Sequence, residues 1–190
     1  SLNTHLKRNK KSLDKSIQAI DVIGINGKVI ASTDTSRIDT DEGAHECFIQ
    51  GRNGVCWHDV HAPANTADSK MRLQIAVSAP LTDKRTGDLL GVIVNYYHAS
   101  ILNKILSGEF QVELGAPSGT AGRRKTYDIY LVNRERMLIT PSRFSDEVLT
   151  QKVETLPVIE GVSGKEISGI YKNFLGSEVI GASMYVPARG

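Results

Sequence analysis

The chain has 190 residues, 40% of them hydrophobic and 23% charged, with a formal net charge of +2. That length suits one large domain or two small ones, and the composition is that of a globular protein. So small a charge, scattered outside Lys7-Arg8-Asn9-Lys10-Lys11 and Arg123-Arg124-Lys125, speaks against a nucleic-acid binder, and no apolar run approaches the ~18 residues needed to span a bilayer.

In chain order, residues 2–20 predict a helix: Leu2, Leu6, Leu13, Ile17 and Ile20 fall on one stripe, and no Pro or Gly intervenes. Val22, Ile23 and Ile25 then lead into Asn26-Gly27, a two-residue hairpin signal, and Val29-Ile30-Ala31-Ser32 returns as the second strand. The polar stretch 33–54 carries one short helix near 44–50. Strands follow at 55–61, 72–81 and 89–97, the last two joined by the turn Asp83 to Gly87. Residues 99–106 form a connecting helix, and the Gly-rich stretch 115–122 is a loop.

The opening hairpin is then repeated. Residues 128–140 copy the strand–turn–strand grammar of 21–32, and 170–182 copy the hairpin that closes the first block. Between them, Ser145 caps a predicted helix and 161–169 is a Gly/Ser loop. The reading is therefore α+β: a long N-terminal signalling and dimerisation helix at 1–20, a first antiparallel module at 21–107 and a second at 108–190. The second lacks its last strand, and the boundary falls between Ser107 and Thr126. A start without Met and an end just after a strand are what an excised piece of a longer protein would show.

This order resembles the double Cache (tandem PAS-like) extracytoplasmic sensor domains of bacterial and archaeal receptors. The resemblance rests on Ile23-Gly24-Ile25-Asn26-Gly27-Lys28-Val29, on Ala76 to Val94, on Ile101 to Leu106, and on Tyr130-Leu131-Val132-Asn133 with Val179 to Pro187. It implies two PAS-like (Cache) sheets, a ligand in the membrane-distal first module, and no catalytic residues in the fragment itself. It also implies flanking transmembrane helices outside this chain, homodimerisation through the leading helix, and a histidine kinase, chemoreceptor or diguanylate cyclase as output. The Arg-x-Trp-Tyr signature of the amino-acid-binding subgroup is absent, and Tyr96 stands where that subgroup has an aspartate at the end of its fifth strand. Both departures speak against an α-amino-acid ligand.

Five residues are the candidate ligand contacts: Trp57, Asp59, Arg72, Gln74 and Tyr96. Strict alternation puts Trp57, Asp59 and His61 on one face of the third strand and Cys56, His58 and Val60 on the other. An indole supplies apolar area and a carboxylate orientation. Arg72 can grip a carboxylate bidentately, and Gln74 and Tyr96 can fix the pose. Ile170, Phe174, Ile180 and Met184 of the second module read as packing residues. The expected ligand is small and polar, bearing a carboxylate for Arg72 or an amine for Asp59.

Two other classes compete. One is a thiol or metal enzyme using Cys56 and His58, although no orienting third group and no usual metal-ligand spacing is visible, so neither metal nor cofactor is expected. The other is a ligand-free structural or dimerisation module. Cys47-Phe48-Ile49-Gln50-Gly51 lacks the neighbours of a flavin-binding loop, and Cys47 and Cys56 stand open between a disulfide and two buried thiols.

Overall fold

The structure is a computed structural model and describes residues 1–62, 73–108 and 128–186. The chain divides into two compact units between Ala99 and Ser100.

In the first unit, α1 (Leu2–Asn9) starts at Ser1, whose hydroxyl accepts the Thr4 N–H, and only Leu6 of this helix is buried. A 3-10 turn, Lys11–Leu13, follows, and β1 (Ile17–Gly24) begins soon after. The predicted helix over 2–20 therefore ends at Asn9, and its second half is strand. The cause of the misreading is a β-bulge. Ile17 lies opposite Tyr97 and Ala19 opposite Tyr96, so one extra residue sits between them. The bulge returns Ile17 and Ile20 to the same face, where both join the Leu6, Val22 and Ala31 cluster. A strand with a bulge thus imitates the three-residue spacing of a helix.

The hairpin to β2 (Val29–Ser32) turns at Asn26-Gly27, where Gly27 takes φ 81° and a side chain would collide with the Gly43 backbone. After a second 3-10 turn, Thr35–Arg37, come α2 (Glu46–Gly51), β3 (Cys56–His61), β4 (Gln74–Thr82) and β5 (Leu89–His98). The strands form one antiparallel sheet in the order β2-β1-β5-β4-β3. One face carries Ile23, Val29, Ala76, Val92, Val94 and Tyr96 and packs on Cys47 and Phe48 of α2. The other carries Ile17, Ile20 and Val22, with Leu6 of α1 over it. The five-stranded α+β module anticipated for the first block is present.

The second unit opens with α3 (Ser100–Leu106). The predicted hairpin near 128–140 appears as a tight turn with Val132 bridged to Leu138 and Asn133 N–H bonded to Met137 C=O at 3.0 Å. The helix predicted from Ser145 is absent there. Leu149 takes φ 63°, which no α-helix accepts, and the β-branched Thr150, Val153 and Thr155 follow. Instead α4 (Leu156–Val162) forms, with Pro157 in its first turn, where a missing N–H costs nothing. Leu138, Val153 and Val158 make the core, with Tyr130 and Phe174 packed against it. The closing hairpin, β6 (Ser168–Lys172) with β7 (Glu178–Ala182), is a two-stranded sheet. Phe174 packs as expected, but Ile170, Ile180 and Met184 are exposed, because the described residues of this unit place no layer over that hairpin.

Candidate functional site

The α2-covered face of the first sheet concentrates the buried polar groups. Strand pairing sets Asp21 opposite Val94, Ala76 opposite Tyr96 and Gln74 opposite His98, so Asp21, Tyr96 and Gln74 share that face. Asp21 is wholly buried in the middle of Ala19-Ile20-Asp21-Val22-Ile23. A carboxylate there needs a cation and hydrogen-bond donors. Both are supplied: Ser32 Oγ donates to its Oδ1 at 2.6 Å, and Arg37 Nε donates to its Oδ2 at 2.6 Å.

Arg37 arrives from the 3-10 turn, whose cap Asp34 accepts both the Ser36 N–H and the Ser36 hydroxyl. Its Nη2 donates to Tyr96 Oη at 3.0 Å and approaches Glu42 Oε1 at 3.4 Å, and its guanidinium carbon lies 4.8 Å from the Tyr96 ring centre. Burial works against the Arg37 charge, but Tyr96, Asp21 and Glu42 together outweigh it and keep the group protonated. Burial also pushes the Tyr96 phenol well above its usual range, so it remains an O–H that can donate.

Of the five candidate contacts, Gln74 and Tyr96 come together on this face, both buried. Trp57 lies opposite Val77, on the other face, and is 42% exposed. Asp59 is exposed and accepts the Val60 N–H at 2.7 Å, inside a second bulge between His58 and His61. The pocket imagined from alternation, with Trp57 and Asp59 beside Gln74 and Tyr96, is therefore not one surface. Arg72 lies outside the described residues. Asp21 and Arg37 escaped the sequence reading, yet one signal was available: a lone aspartate inside an apolar strand.

At the β3 end, Cys56 Sγ donates to Gln50 Oε1 at 2.8 Å and stands 3.7 Å from His58 Nε2. Burial raises the Cys56 thiol and lowers His58, the reverse of an activated thiolate–imidazolium pair. Cys47 is buried and free, its thiol pushed up to about 12 chiefly by burial.

His58 is held below its ordinary value of 6.5 by burial and by His45 and His61, against the opposing pull of Glu46. The folded state thus prefers neutral His58. Its contribution is complete above the unfolded value and is lost as pH falls through about 6.5 and on towards the folded one. The melting temperature should drop between pH 7.5 and 5.5 (roughly the imidazole range), and His58→Gln should make that drop smaller. An equal drop in both proteins would remove His58 as a cause.

No family model matches the sequence, and no curated protein matches it. Solved structures do. The ligand-binding domain of the Campylobacter jejuni chemoreceptor Tlp3 in complex with 4-methylisoleucine aligns at TM-score 0.61 and 16% identity, over 96% of this chain and 65% of that one. The likeness is one of fold. An extracellular ligand binding receptor from Desulfohalobium retbaense aligns at TM-score 0.60 and 13% identity, over 94% and 29% of the two chains. The V. cholerae histidine kinase DctB sensor domain gives TM-score 0.55 and 14% identity, over 94% and 70%. The double Cache resemblance is upheld at the level of fold. The chain spans less than two thirds of the Tlp3 domain's length, and under a third of the Desulfohalobium receptor's.

Proposed function

We propose that this chain is the extracytoplasmic small-molecule sensor of a transmembrane signalling receptor, a histidine kinase in the first instance, with a chemoreceptor or diguanylate cyclase as the other outputs. The observation that carries this reading is the set of polar groups, buried Asp21, Tyr96 and Gln74 with half-buried Arg37, on the helix-covered face of a sheet built like those of known sensor domains. Such groups fix the orientation of a small polar ligand.

The ligand is placed in the first unit, the membrane-distal one in this reading, in contact with Tyr96 and Gln74, while the second unit is membrane-proximal. Arg72, two residues before Gln74, is proposed to reach a ligand carboxylate. Trp57 and Asp59, on or beside the opposite face, leave the contact set. The Tlp3 domain is recorded with isoleucine and with L-valine. Arg37 and Asp21 carry the charges that a carboxylate and an ammonium would need, but here they engage each other, and the amino-acid signature is missing. A carboxylate or amine is the class proposed.

Signalling is by population shift. A ligand that competes for Arg37 and Tyr96 favours one setting of the 35–45 segment and α2 over the sheet. α1 packs Leu6 on the opposite face and leaves Leu2 exposed, as is Leu13 in the 3-10 turn that follows, which suits a segment that also pairs with a second copy in the full receptor. Among the described residues no helix is long and apolar enough to cross a membrane, and the spans are assigned to flanking sequence.

A thermal-shift screen of carboxylates, amines and sugars tests the reading, with at least one compound expected to raise the melting temperature. Tyr96→Phe, which removes only the hydroxyl, should then weaken binding three- to tenfold, about 1 kcal/mol for one hydrogen bond. No stabilising compound would favour a structural module. Unchanged affinity in Tyr96→Phe would move the ligand elsewhere.

A further inference from the structure

We propose that His58 and His61 of β3, together with the Cys56 thiolate and the imidazole of His45, hold a divalent transition-metal ion of the zinc type at the edge of the first sheet.

Alternation alone separates His58 from His61. The bulge reunites them: Cys56 pairs with Ser78, His58 with Ala76 and His61 with Gln74, so three residues of β3 turn to the face that α2 covers. His45, the N-cap of α2, closes the group from above. Its ring centre is 6.4 Å from that of His58 and 6.4 Å from that of His61. Two imidazoles bound tetrahedrally to one zinc have centres about 5 Å apart, given Zn–N bonds of ~2.0–2.1 Å.

The donor atoms are also prepared. His61 Nδ1 lies 2.8 Å from the Asp59 carbonyl oxygen. A carbonyl only accepts, so Nδ1 carries the proton and Nε2 presents a lone pair, now met by the Gln74 amide at 3.0 Å. His58 has the Glu46 carboxylate 3.7 Å from Nδ1, and its Nε2 faces Cys56 Sγ. His61 thus has the outer oxygen acceptor at Nδ1 and the unprotonated Nε2 that metal-binding histidines usually show, while Glu46 stands near His58 Nδ1 beyond hydrogen-bond distance. The 3.7 Å between Cys56 Sγ and His58 Nε2 also matches one edge of a zinc tetrahedron, about 3.6 Å for Zn–S and Zn–N bonds of ~2.3 and ~2.05 Å.

Among the described residues no three donors yet share one centre. Closure requires His45, which is exposed, to turn inward and give up its long 3.4 Å contact with the Cys47 N–H, and His61 to release Gln74. Binding expels the Cys56 proton, now directed at Gln50 Oε1, to solvent, so affinity weakens as pH falls. Imidazole and thiolate together select zinc or cobalt over magnesium or calcium.

Cobalt(II) titration of the chelator-treated full chain tests the site, because thiolate ligation produces a charge-transfer absorption. One equivalent should develop that band, and zinc should bleach it. Cys56→Ser should abolish the band, while His58→Gln and His61→Gln should each weaken binding at least tenfold, circular dichroism confirming that the variants fold. Zinc should also raise the melting temperature of the parent protein, and a chelator should reverse this. Absence of the band overturns the site, as does its persistence in Cys56→Ser, or unchanged cobalt affinity in both histidine variants. The organic-ligand reading can fail in its own screen without touching this result.

Discussion

Replacing Arg37 by alanine is expected to destabilise the first unit by about 3–5 kcal/mol, the cost of leaving a buried charge without its partner. Asp21 is wholly inaccessible, and among the described residues Arg37 is the cation that pairs with it. Ser32 would remain as a donor, but one hydroxyl does not balance a carboxylate in a low-dielectric interior. The loss should appear in urea unfolding followed by Trp57, the single tryptophan, which lies in β3 and so reports on this unit. Adding Asp21→Asn to Arg37→Ala should recover part of the loss, since the amide carries no charge to desolvate. A cost under about 1 kcal/mol, the scale of an exposed ion pair, would mean that water reaches Asp21 and that the network holds little together.

Gly51→Ala should destabilise by about 1–3 kcal/mol, the usual cost of forcing extra volume into a packed interior. Alanine ordinarily favours a helix over glycine by about 0.8–1.0 kcal/mol, so the sign is the informative part. A Cβ at Gly51 would lie 2.7 Å from Val92 Cγ1 and 2.8 Å from Ser78 Oγ, side chains on two adjacent strands. Both neighbours are buried and β5 is central, so α2 must rise off the sheet. That would loosen Cys47 and Phe48 together and weaken any ligand seated under the helix. A melting temperature above the parent's would show that α2 does not approach so closely.

The sequence made local turns readable because their chemistry is local. Asn26-Gly27 and Asp83 to Gly87 each close a hairpin where expected, with Gly27 and Gly87 at positive φ. The bulges were not readable. Each inserts one residue and swaps faces, so Ile17 and Ile20 looked helical and His61 seemed to sit beside Trp57 instead of beside His58. Nothing local announces a bulge, because it arises from what the partner strand requires. Arg37 hid for a related reason. It belongs to a polar loop, and only the fold brings it onto Tyr96, 59 positions later. Asp21 was different, since its apolar surroundings demanded a partner that the sequence could not locate. In the second unit, the left-handed Leu149 broke a helix that its composition favoured.

The placement of β1 between β2 and β5 also governs the order in which the molecule can assemble. The β1–β2 and β4–β5 pairs close over short turns, but the seam between them joins Ile17 to Tyr97 and cannot form until nearly all of the first unit has been synthesised. Until then one edge of a strongly apolar strand is left unpaired, and the loop that must be closed is long. The bed for α2 draws on β1, β4 and β5 together, so it is complete only after that seam has formed. A nascent chain therefore passes through a stage with its hairpins made and the bed for α2 absent. At that stage its unpaired apolar edge is the kind of surface that a chaperone covers.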